Sequence, residues 1–197
     1  MTGSICPVCG ESGLREKHSQ VEVPYAGKVL EITLQCEKCN YKHVSLDYLE
    51  PGEPVRFSFL VEGPQHLSVK VYRSRYGVIE LVELGLKVEP GAAADGYLTN
   101  VEGVLNRFGD ILRQVVRFNS DEEGSPEDIH KALEILEKLE GVKTGEQKVT
   151  MVLMDPAGIS AIVSDEAKRE PLSQEDIEKY SDSFVITFED ETQGDEQ

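Results

Sequence analysis

Four cysteines, the only cysteines of the chain, form two pairs with the spacing of metal ligands. Cys6 and Cys9 make one pair, Cys36 and Cys39 make the other, and 26 residues separate the two pairs. Two residues between cysteines let a tight turn aim both sulfurs at one point, and two such turns supply the four thiolates that Zn²⁺ binds tetrahedrally. The spacing therefore predicts one structural zinc ion, in a closed site that leaves no position for a substrate.

The residues around the pairs support this prediction. Gly10 takes a left-handed backbone freely and Asn40 takes it with some tolerance, and this conformation turns backbone N–H groups toward the sulfurs. His18 and His43 are possible substitute ligands. Because four thiolates already complete the shell, we expect both to be ordinary surface or ribbon histidines.

Other chemistries of cysteine fit the chain less well. Two disulfides need an oxidising compartment, and residues 1–4 lack the basic and apolar runs that open a signal peptide. A redox dithiol needs one pair on a βαβ unit, and an iron–sulfur cluster, although it also takes four thiolates, is less typical of two paired turns. Since no apolar stretch approaches the length of a membrane span, we expect a cytoplasmic protein without membrane contact.

The chain is acidic, and its charge is uneven. The formal net charge is −17 over 197 residues. Residues 1–120 contain 13 basic and 15 acidic side chains, whereas residues 121–197 contain 7 and 22. We therefore do not expect nucleic-acid binding, because that affinity rests on cationic contacts. The acidic half is either a solvated surface or a surface that attracts a basic protein partner.

The pattern of apolar residues predicts a mainly β protein with two parts. Strands at 14–23 and 28–34 lie between the cysteine pairs, so residues 1–50 are expected to form a Cys₄ zinc β-ribbon. Further short strands with frequent glycine turns indicate a sandwich or a compact β-helical roll over residues 51–190. These strands are expected at 55–61, 67–72, 78–81, 84–88, 148–154, 159–163 and 184–188. A short helix is expected to begin near Ser173, and residues 191–197 are acidic and expected to be disordered.

A helical hairpin is predicted to interrupt the β pattern over about residues 99–141. Thr99 and Glu102 form a capping box, and apolar residues follow on one face of a helix. Those residues are Val101, Val104, Leu105, Phe108, Ile111, Leu112 and Val115. A second helix is expected to start at Ser125 and Pro126 and to end at Gly141. From the residues alone, a hairpin that only packs is favoured over an arm that binds a partner.

Several motifs in this order resemble one family. They are the CPVCG and CEKC pairs, the IEL and LGLKVEP strand region, the TNVEG helix start and the DPAGIS turn. Over roughly residues 5–188 the chain is similar to the ZPR-type zinc-finger proteins (member one), in the single-module form found in archaea. The resemblance implies a zinc ribbon followed by a double-stranded β-helix-like domain with a helical hairpin insertion. It also implies that the protein binds translation elongation factor one-alpha, the EF-Tu-like GTPase, as a folding chaperone.

The resemblance also assigns residues to the family's motifs. It gives Cys6, Cys9, Cys36 and Cys39 as metal ligands, Thr99, Glu102 and Gly103 as the helix-start motif, and Asp155, Pro156, Gly158 and Ser160 as the turn motif. The last two motifs are either structural or partner-binding. The family usually has a second threonine where this chain has Asn100, and an asparagine where it has Ile159.

Two other classes of function fit the sequence less well. A zinc-ribbon nucleic-acid module in transcription or translation needs cations beside aromatics, and the candidate cluster is Lys70, Tyr72, Arg73, Arg75 and Tyr76. We expect these side chains instead to lie on the solvent-exposed face of a strand. An enzyme needs a catalytic constellation, and the sequence has no phosphate loop, no Rossmann fingerprint and no paired nucleophile and base. We therefore expect no enzymatic activity.

Overall fold

The computed structural model of the chain describes residues 4–23, 27–48, 52–91, 94–121 and 125–181. None of the helices in these ranges is both long and apolar enough to cross a bilayer. The strands are β1 Ser4–Ile5, β2 Ser12–Val23, β3 Gly27–Cys36, β4 Lys42–Tyr48, β5 Val55–Val61, β6 Lys70–Arg73, β7 Val78–Leu81, β8 Leu86–Val88, β9 Tyr97–Asn100, β10 Val149–Asp155, β11 Ala161–Val163 and β12 Lys168–Pro171. The helices are α1 Val101–Asp121, α2 Pro126–Thr144 and α3 Gln174–Ser181.

The first four strands form an antiparallel ribbon in the order β1-β2-β3-β4. Strands β2 and β3 pair from Leu14 opposite Cys36 to Val23 opposite Gly27. Strand β4 then pairs with β3 on its other side. The sequence predicted β2 and β3 but not β1 or β4. Among the described side chains of this ribbon, Val29 is the one buried apolar residue besides two cysteines, so the ribbon has almost no hydrophobic core of its own.

The remaining strands form two antiparallel sheets that face each other. One has five strands in the order β12-β5-β10-β7-β8, and the other has three in the order β11-β6-β9. Eight strands in two facing sheets are the architecture of a jelly roll. The expectation of a mainly β chain, with a double-stranded β-helix-like or sandwich domain and a helical insertion, is confirmed.

The jelly-roll core lies between the two sheets. Strand β5 alternates, so that Val55, Phe57, Phe59 and Val61 point into this core. Burial of each large apolar side chain of this kind stabilises the fold by about 1.5–3 kcal/mol. Strand β10 is buried on both faces, because helix α3 covers the face opposite the core with Ile177 and Tyr180. This double burial explains why its sequence is almost continuously apolar.

Several predicted strands have different bounds in the structure. Residues 67–69 are not strand, because Leu67 ends the 3₁₀ turn Pro64–His66. Leu84 belongs to a second 3₁₀ turn, Val82–Leu84, so β8 starts later than expected. Strand β11 starts at Ala161 rather than at residue 159, since a tight turn holds the two residues before it. Strands β9 and β12 were not predicted. The expected strand at 184–188 and the acidic tail lie outside the described residues.

The hairpin helices start near their expected positions, but the second one is longer. The prediction that α2 ends at Gly141 is wrong, since the helix continues to Thr144. Gly145 ends it with a left-handed φ of 87°, a backbone that glycine adopts without strain. The base of the hairpin belongs to the jelly-roll core, to which α1 contributes Val104 and Phe108 and α2 contributes Leu139.

The first helix is capped by a different residue from the one expected. Strand β9 runs through Thr99 to Asn100, and the Asn100 Oδ1 accepts the N–H of Gly103 at 2.8 Å. The prediction that Thr99 is the cap is therefore wrong. The N–H groups of the two residues before Gly103 also have acceptors, because Val101 donates to the Val69 carbonyl and Glu102 to the Leu67 carbonyl.

This cap can be tested by substitution. We expect Asn100→Ala to lower the free energy of unfolding by about 1 kcal/mol, because the Gly103 N–H loses its acceptor. Asn100→Asp keeps an acceptor at the same place and is expected to keep most of that stability. Chemical denaturation monitored by circular dichroism measures both values. If Thr99→Val lowers the free energy of unfolding as much as Asn100→Ala does, the assignment of the cap to Asn100 is contradicted.

Candidate metal centre and the surfaces around it

The two cysteine pairs sit in turns of the same geometry. In the first turn Gly10 donates its N–H to the Cys6 carbonyl at 2.9 Å, and in the second Asn40 donates to the Cys36 carbonyl at 3.1 Å. Gly10 has φ 74° and Asn40 has φ 58°, so both take the left-handed backbone that the sequence predicted. The two turns therefore have the same backbone conformation, and the ribbon places them opposite each other.

The four sulfurs converge on one point. The Sγ atoms of Cys6 and Cys39 are 3.7 Å apart, as are those of Cys9 and Cys36, and all four lie within 4.8 Å of one another. A tetrahedral zinc ion with Zn–S bonds of about 2.3 Å requires sulfurs about 3.8 Å apart. A disulfide needs about 2.05 Å, so the four thiols are free. They form a site for one zinc ion, and the prediction of that cofactor is confirmed.

Backbone N–H groups point at the sulfurs and favour thiolate. Val8 donates to the Cys6 Sγ and Lys38 donates to the Cys36 Sγ, both at 3.4 Å. Burial acts to raise the pKa of Cys6, but the N–H groups of Cys9 and Val8 lower it to about 7. A metal site of thiolates requires such hydrogen bonds from the groups around its ligands.

The neighbouring sulfurs have the opposite effect on Cys9. The N–H of Glu11 acts to lower the pKa of Cys9, whereas burial and the three neighbouring sulfurs raise it to about 12. Thiols this close cannot all lose their protons without a cation among them. A divalent zinc ion supplies that charge and displaces the remaining protons when it binds. The donor set therefore fits zinc both in geometry and in charge.

The two ribbon histidines lie outside this set. His18 is exposed and contacts Glu16, and the His43 Nε2 lies 3.3 Å from the Asp95 Oδ2 on the jelly roll. Within the described ranges, the group that could hold a metal ion comprises the four cysteines. His43 instead helps to join the ribbon to the jelly roll.

The family's turn motif contributes to the contact between the ribbon and the jelly roll, which we call the joint. The Asp155 carboxylate is buried and accepts the N–H groups of Ala157, Ile159 and Ser160 at 2.8, 3.2 and 2.7 Å, together with the Ser160 hydroxyl at 2.6 Å. The Ser160 Oγ in turn accepts the Ser74 N–H at 2.9 Å. Asp155 and Ser160 therefore use their polar atoms to fix the backbone of the turn.

Close backbone contact explains the glycine of this turn. Gly158 has φ 70°, and a Cβ there would lie 2.2 Å from the Glu53 carbonyl oxygen. Pro156 is buried in the same turn. The result is that Ala157 and Ile159 pack with Val29 of the ribbon and Tyr72 of the jelly roll in one small apolar cluster. Ile159, where the family usually has an asparagine, contributes an apolar side chain to this cluster.

The helix-start motif also has a packing role. A Cβ on Gly103 would lie 2.1 Å from the Thr99 Oγ1, so a larger residue there would force the Thr99 side chain to move. Glu102 is exposed in the first turn of α1, where its charge favours the helix dipole. Both residues therefore suit the start of α1.

The aromatic and basic cluster of β6 and the turn after it faces water only in part. Tyr72 is buried and Arg73 is 5% exposed, whereas Lys70 and Arg75 are exposed and Tyr76 is partly buried. The expectation that these side chains face water is therefore wrong for Tyr72 and Arg73, because Tyr72 packs against Val29 of the ribbon and Arg73 lies under Tyr97. The two buried residues cannot stack on nucleic-acid bases, so the cluster does not form a platform of that kind.

The outer part of the hairpin carries apolar side chains that the core does not bury. Ile111, Val115 and Phe118 lie on one face of α1 at spacings of four and three residues, with 46, 36 and 69% of their surface exposed. We call these three residues the α1 stripe. The sequence placed Ile111 and Val115 on the packed face and did not single out Phe118. Periodicity identifies an apolar face but not what covers it.

Comparisons with known proteins agree with this architecture. The family model for the ZPR1 jelly-roll domain matches residues 65–185. A ZPR1-like protein of Methanocaldococcus jannaschii is 39% identical over 182 residues, which cover 92% of this chain and 90% of that protein. A second ZPR1-like protein, from Pyrococcus horikoshii, is 38% identical over 185 residues, or 93% and 82% of the two chains.

Similarity extends to a eukaryotic protein at lower identity. The zinc finger chaperone zpr1 of Schizosaccharomyces pombe is 27% identical over 161 residues, which cover 81% of this chain and 34% of that protein. The chain thus corresponds to about a third of the yeast protein and to most of each archaeal one. With four converged thiols, a jelly roll and a helical hairpin in this order, the chain belongs to the ZPR1 family and matches its single-module archaeal members.

Proposed function

We propose that the protein binds translation elongation factor one-alpha, the EF-Tu-like GTPase, and assists its folding without catalysing a reaction. The observation that carries this proposal is the α1 stripe, since an apolar face held away from the core is suited to a partner's apolar surface. The name of the yeast relative, a zinc finger chaperone, supports the same kind of role.

The zinc ribbon offers a second apolar surface. Ile5 and Val8, which lie beside the first cysteine pair, are 71 and 65% exposed. Because the zinc ion fixes both turns, these side chains are held in place at little further cost in entropy when a partner binds. The ribbon would serve as a rigid docking surface, and the hairpin would engage apolar surface that the client exposes before it has folded.

Charge favours a basic client. Helix α2 exposes Glu127, Asp128, Glu134 and Glu137, and the whole chain carries −17. Such a surface speeds encounter with a positively charged protein more than it adds to final affinity. Catalysis is not part of the proposal, because Asp155 and Ser160 use their oxygens to hold backbone N–H groups.

Binding can be tested with the zinc-loaded protein and the elongation factor of the same organism. We expect Val115→Ser combined with Phe118→Ser to weaken the complex by about tenfold or more, since two apolar anchors lost at an interface cost over about 1.4 kcal/mol. The melting temperature should fall by only a few degrees, because Phe118 is 69% and Val115 36% exposed. Biolayer interferometry measures affinity, and recovery of GTP binding after dilution from denaturant measures folding of the client.

A matched control uses an exposed apolar residue elsewhere. Val82 is 45% exposed in a turn of the jelly roll, so Val82→Ser removes similar apolar surface away from the hairpin. It is expected to bind and refold the client as the native protein does. Equal losses for the Val82 variant and the double variant would contradict the role of the α1 stripe. Failure of the native protein to bind the factor in either assay would overturn the proposed function.

A further inference from the structure

A cavity of about 250 Å³ lies where α1 crosses the edge of the jelly roll. Strands β7 and β8 form one wall and α1 forms another, and most of the lining is apolar. The apolar walls come from Ile79, Val88, Val104, Phe108 and Ile111. This cavity could not be predicted from the sequence, because its walls come from separate segments of the chain.

Two arginines and a tyrosine add charge to this apolar space. Arg73 is nearly buried, and it donates from Nε to the Gly77 carbonyl at 2.7 Å and from Nη1 to the Asp95 carbonyl at 3.4 Å. The Arg73 guanidinium lies 5.5 Å from the centre of the Tyr97 ring, and that of Arg107 lies 4.1 Å from it. The tyrosine therefore holds two positive groups at one side of the cavity.

Among the described residues, neither arginine has a carboxylate within ion-pair distance. Among the ion pairs of the described residues, none within 4.0 Å involves Arg73 or Arg107. Glu89 also lines the cavity, but its carboxylate lies 3.4 Å from the Lys87 Nζ. The buried Asp155 carboxylate attracts Arg73 and offsets part of its charge, without forming an ion pair with it. Burial lowers the pKa of Arg73, and the charge of Arg107 adds to that effect. Arg107 is exposed, so an anion from outside can reach its guanidinium and would compensate the remaining positive charge.

Size and position indicate what kind of anion enters. The volume is below the about 300–1,000 Å³ typical of sites for whole small ligands, and it suits one large side chain. Ile111 belongs both to the cavity wall and to the α1 stripe, so the cavity continues an exposed apolar surface. We propose that the cavity anchors a segment of a protein partner, which inserts an apolar side chain and places an adjacent carboxylate against Arg107 and Arg73. This proposal rests on the proposed function, since it names the chemistry of the partner segment.

The test is a titration of the zinc-loaded, ¹⁵N-labelled protein with short blocked peptides. A peptide with adjacent phenylalanine and aspartate should shift the amide signals of Gly91, Tyr97 and Ile111 in a saturable way. Replacing its aspartate with asparagine, or its phenylalanine with alanine, should weaken binding by about tenfold, as loss of a charge-assisted pair or a buried anchor does. Arg107→Gln should weaken binding by a similar factor.

A matched charge control separates the site from general electrostatics. Arg113 lies on the same helix, is half exposed and pairs with Asp110, so Arg113→Gln removes the same charge outside the cavity. It should change the dissociation constant by less than about twofold, because an exposed pair contributes little. Equal weakening by Arg107→Gln and Arg113→Gln would overturn the proposal, as would an asparagine peptide that binds as tightly as the aspartate peptide.

Other outcomes distinguish this proposal from the broader one. If 3-phenylpropionate binds in the cavity and the peptide does not, the site takes a free carboxylate and the proposed protein anchor is wrong. If no peptide shifts these amides while the elongation factor still binds, the anchor is wrong and the proposed function stands. If the peptide binds with the expected specificity and the factor does not, the anchor stands with a different partner.

Discussion

Cys36→Ser is expected to unfold the zinc ribbon and to leave the jelly roll folded. Cys36 is fully buried, and the ribbon's other buried side chains are Cys6 and Val29 among those described. Structural zinc supplies an apparent free energy of about 10–16 kcal/mol in zinc-finger peptides, and a ribbon without a core has little to replace it. The jelly-roll core uses other residues and should persist.

Hydrogen exchange with mass spectrometry, together with zinc analysis, measures this separation. Amides of β2 and β3 should exchange rapidly in the Cys36 variant or after chelation, while those of β5 and β10 stay protected. His18→Gln is the matched control, because His18 lies on β2 with its side chain exposed. It should keep one zinc ion and full protection. A Cys36 variant with a protected ribbon and no zinc would show that the metal does not hold this part of the fold.

The zinc site was predictable because its geometry is local. Within each pair, two residues separate the cysteines, and a left-handed residue follows the pair. These local features fix both turns. The general β character of the chain was predictable for the same reason, since alternation along strands such as β5 reports a buried face directly. Local spacing therefore identified the metal ligands, and local alternation identified the buried face of β5.

The predictions failed where contacts between segments far apart in the sequence determine the local structure. Thr99 and Asn100 both belong to the residue types that cap helices, and pairing of β9 with β6 places Asn100 at the helix start. The apolar face of α1 extends past the sheet that covers its first half, so Ile111 faces solvent. Strand β12 is a polar strand of four residues that only its pairing with β5 creates.

The cavity shows the same limit more strongly. Arg73 belongs to β6, Tyr97 to β9 and Arg107 to α1, and no spacing rule connects the three. Their meeting depends on the fold of the whole jelly roll. A sequence can indicate that a cation is present, but only the packing of several elements decides whether it is solvated or held beside an apolar wall.

Asp155→Asn is expected to destabilise the jelly roll and to loosen its joint with the ribbon. The Asp155 carboxylate is fully buried and accepts three backbone N–H groups and one hydroxyl. An amide in its place turns one acceptor into a donor that faces other donors. Breaking a buried charged network of this kind costs about 3–5 kcal/mol. For a chain of this size that loss lowers the melting temperature by about 10 °C.

The loss should also reach the ribbon while zinc remains bound. Asp155 fixes the turn that places Ile159 and Ala157 against Val29, so amides of β3 near Val29 should exchange faster in the variant. Asp110→Asn is the matched control, because that carboxylate is exposed and its pair with Arg113 contributes less than about 1 kcal/mol. Differential scanning calorimetry and hydrogen exchange separate the two effects. If the Asp155 and Asp110 variants have the same melting temperature, the four hydrogen bonds do not hold the turn. The joint would then rest on apolar packing alone.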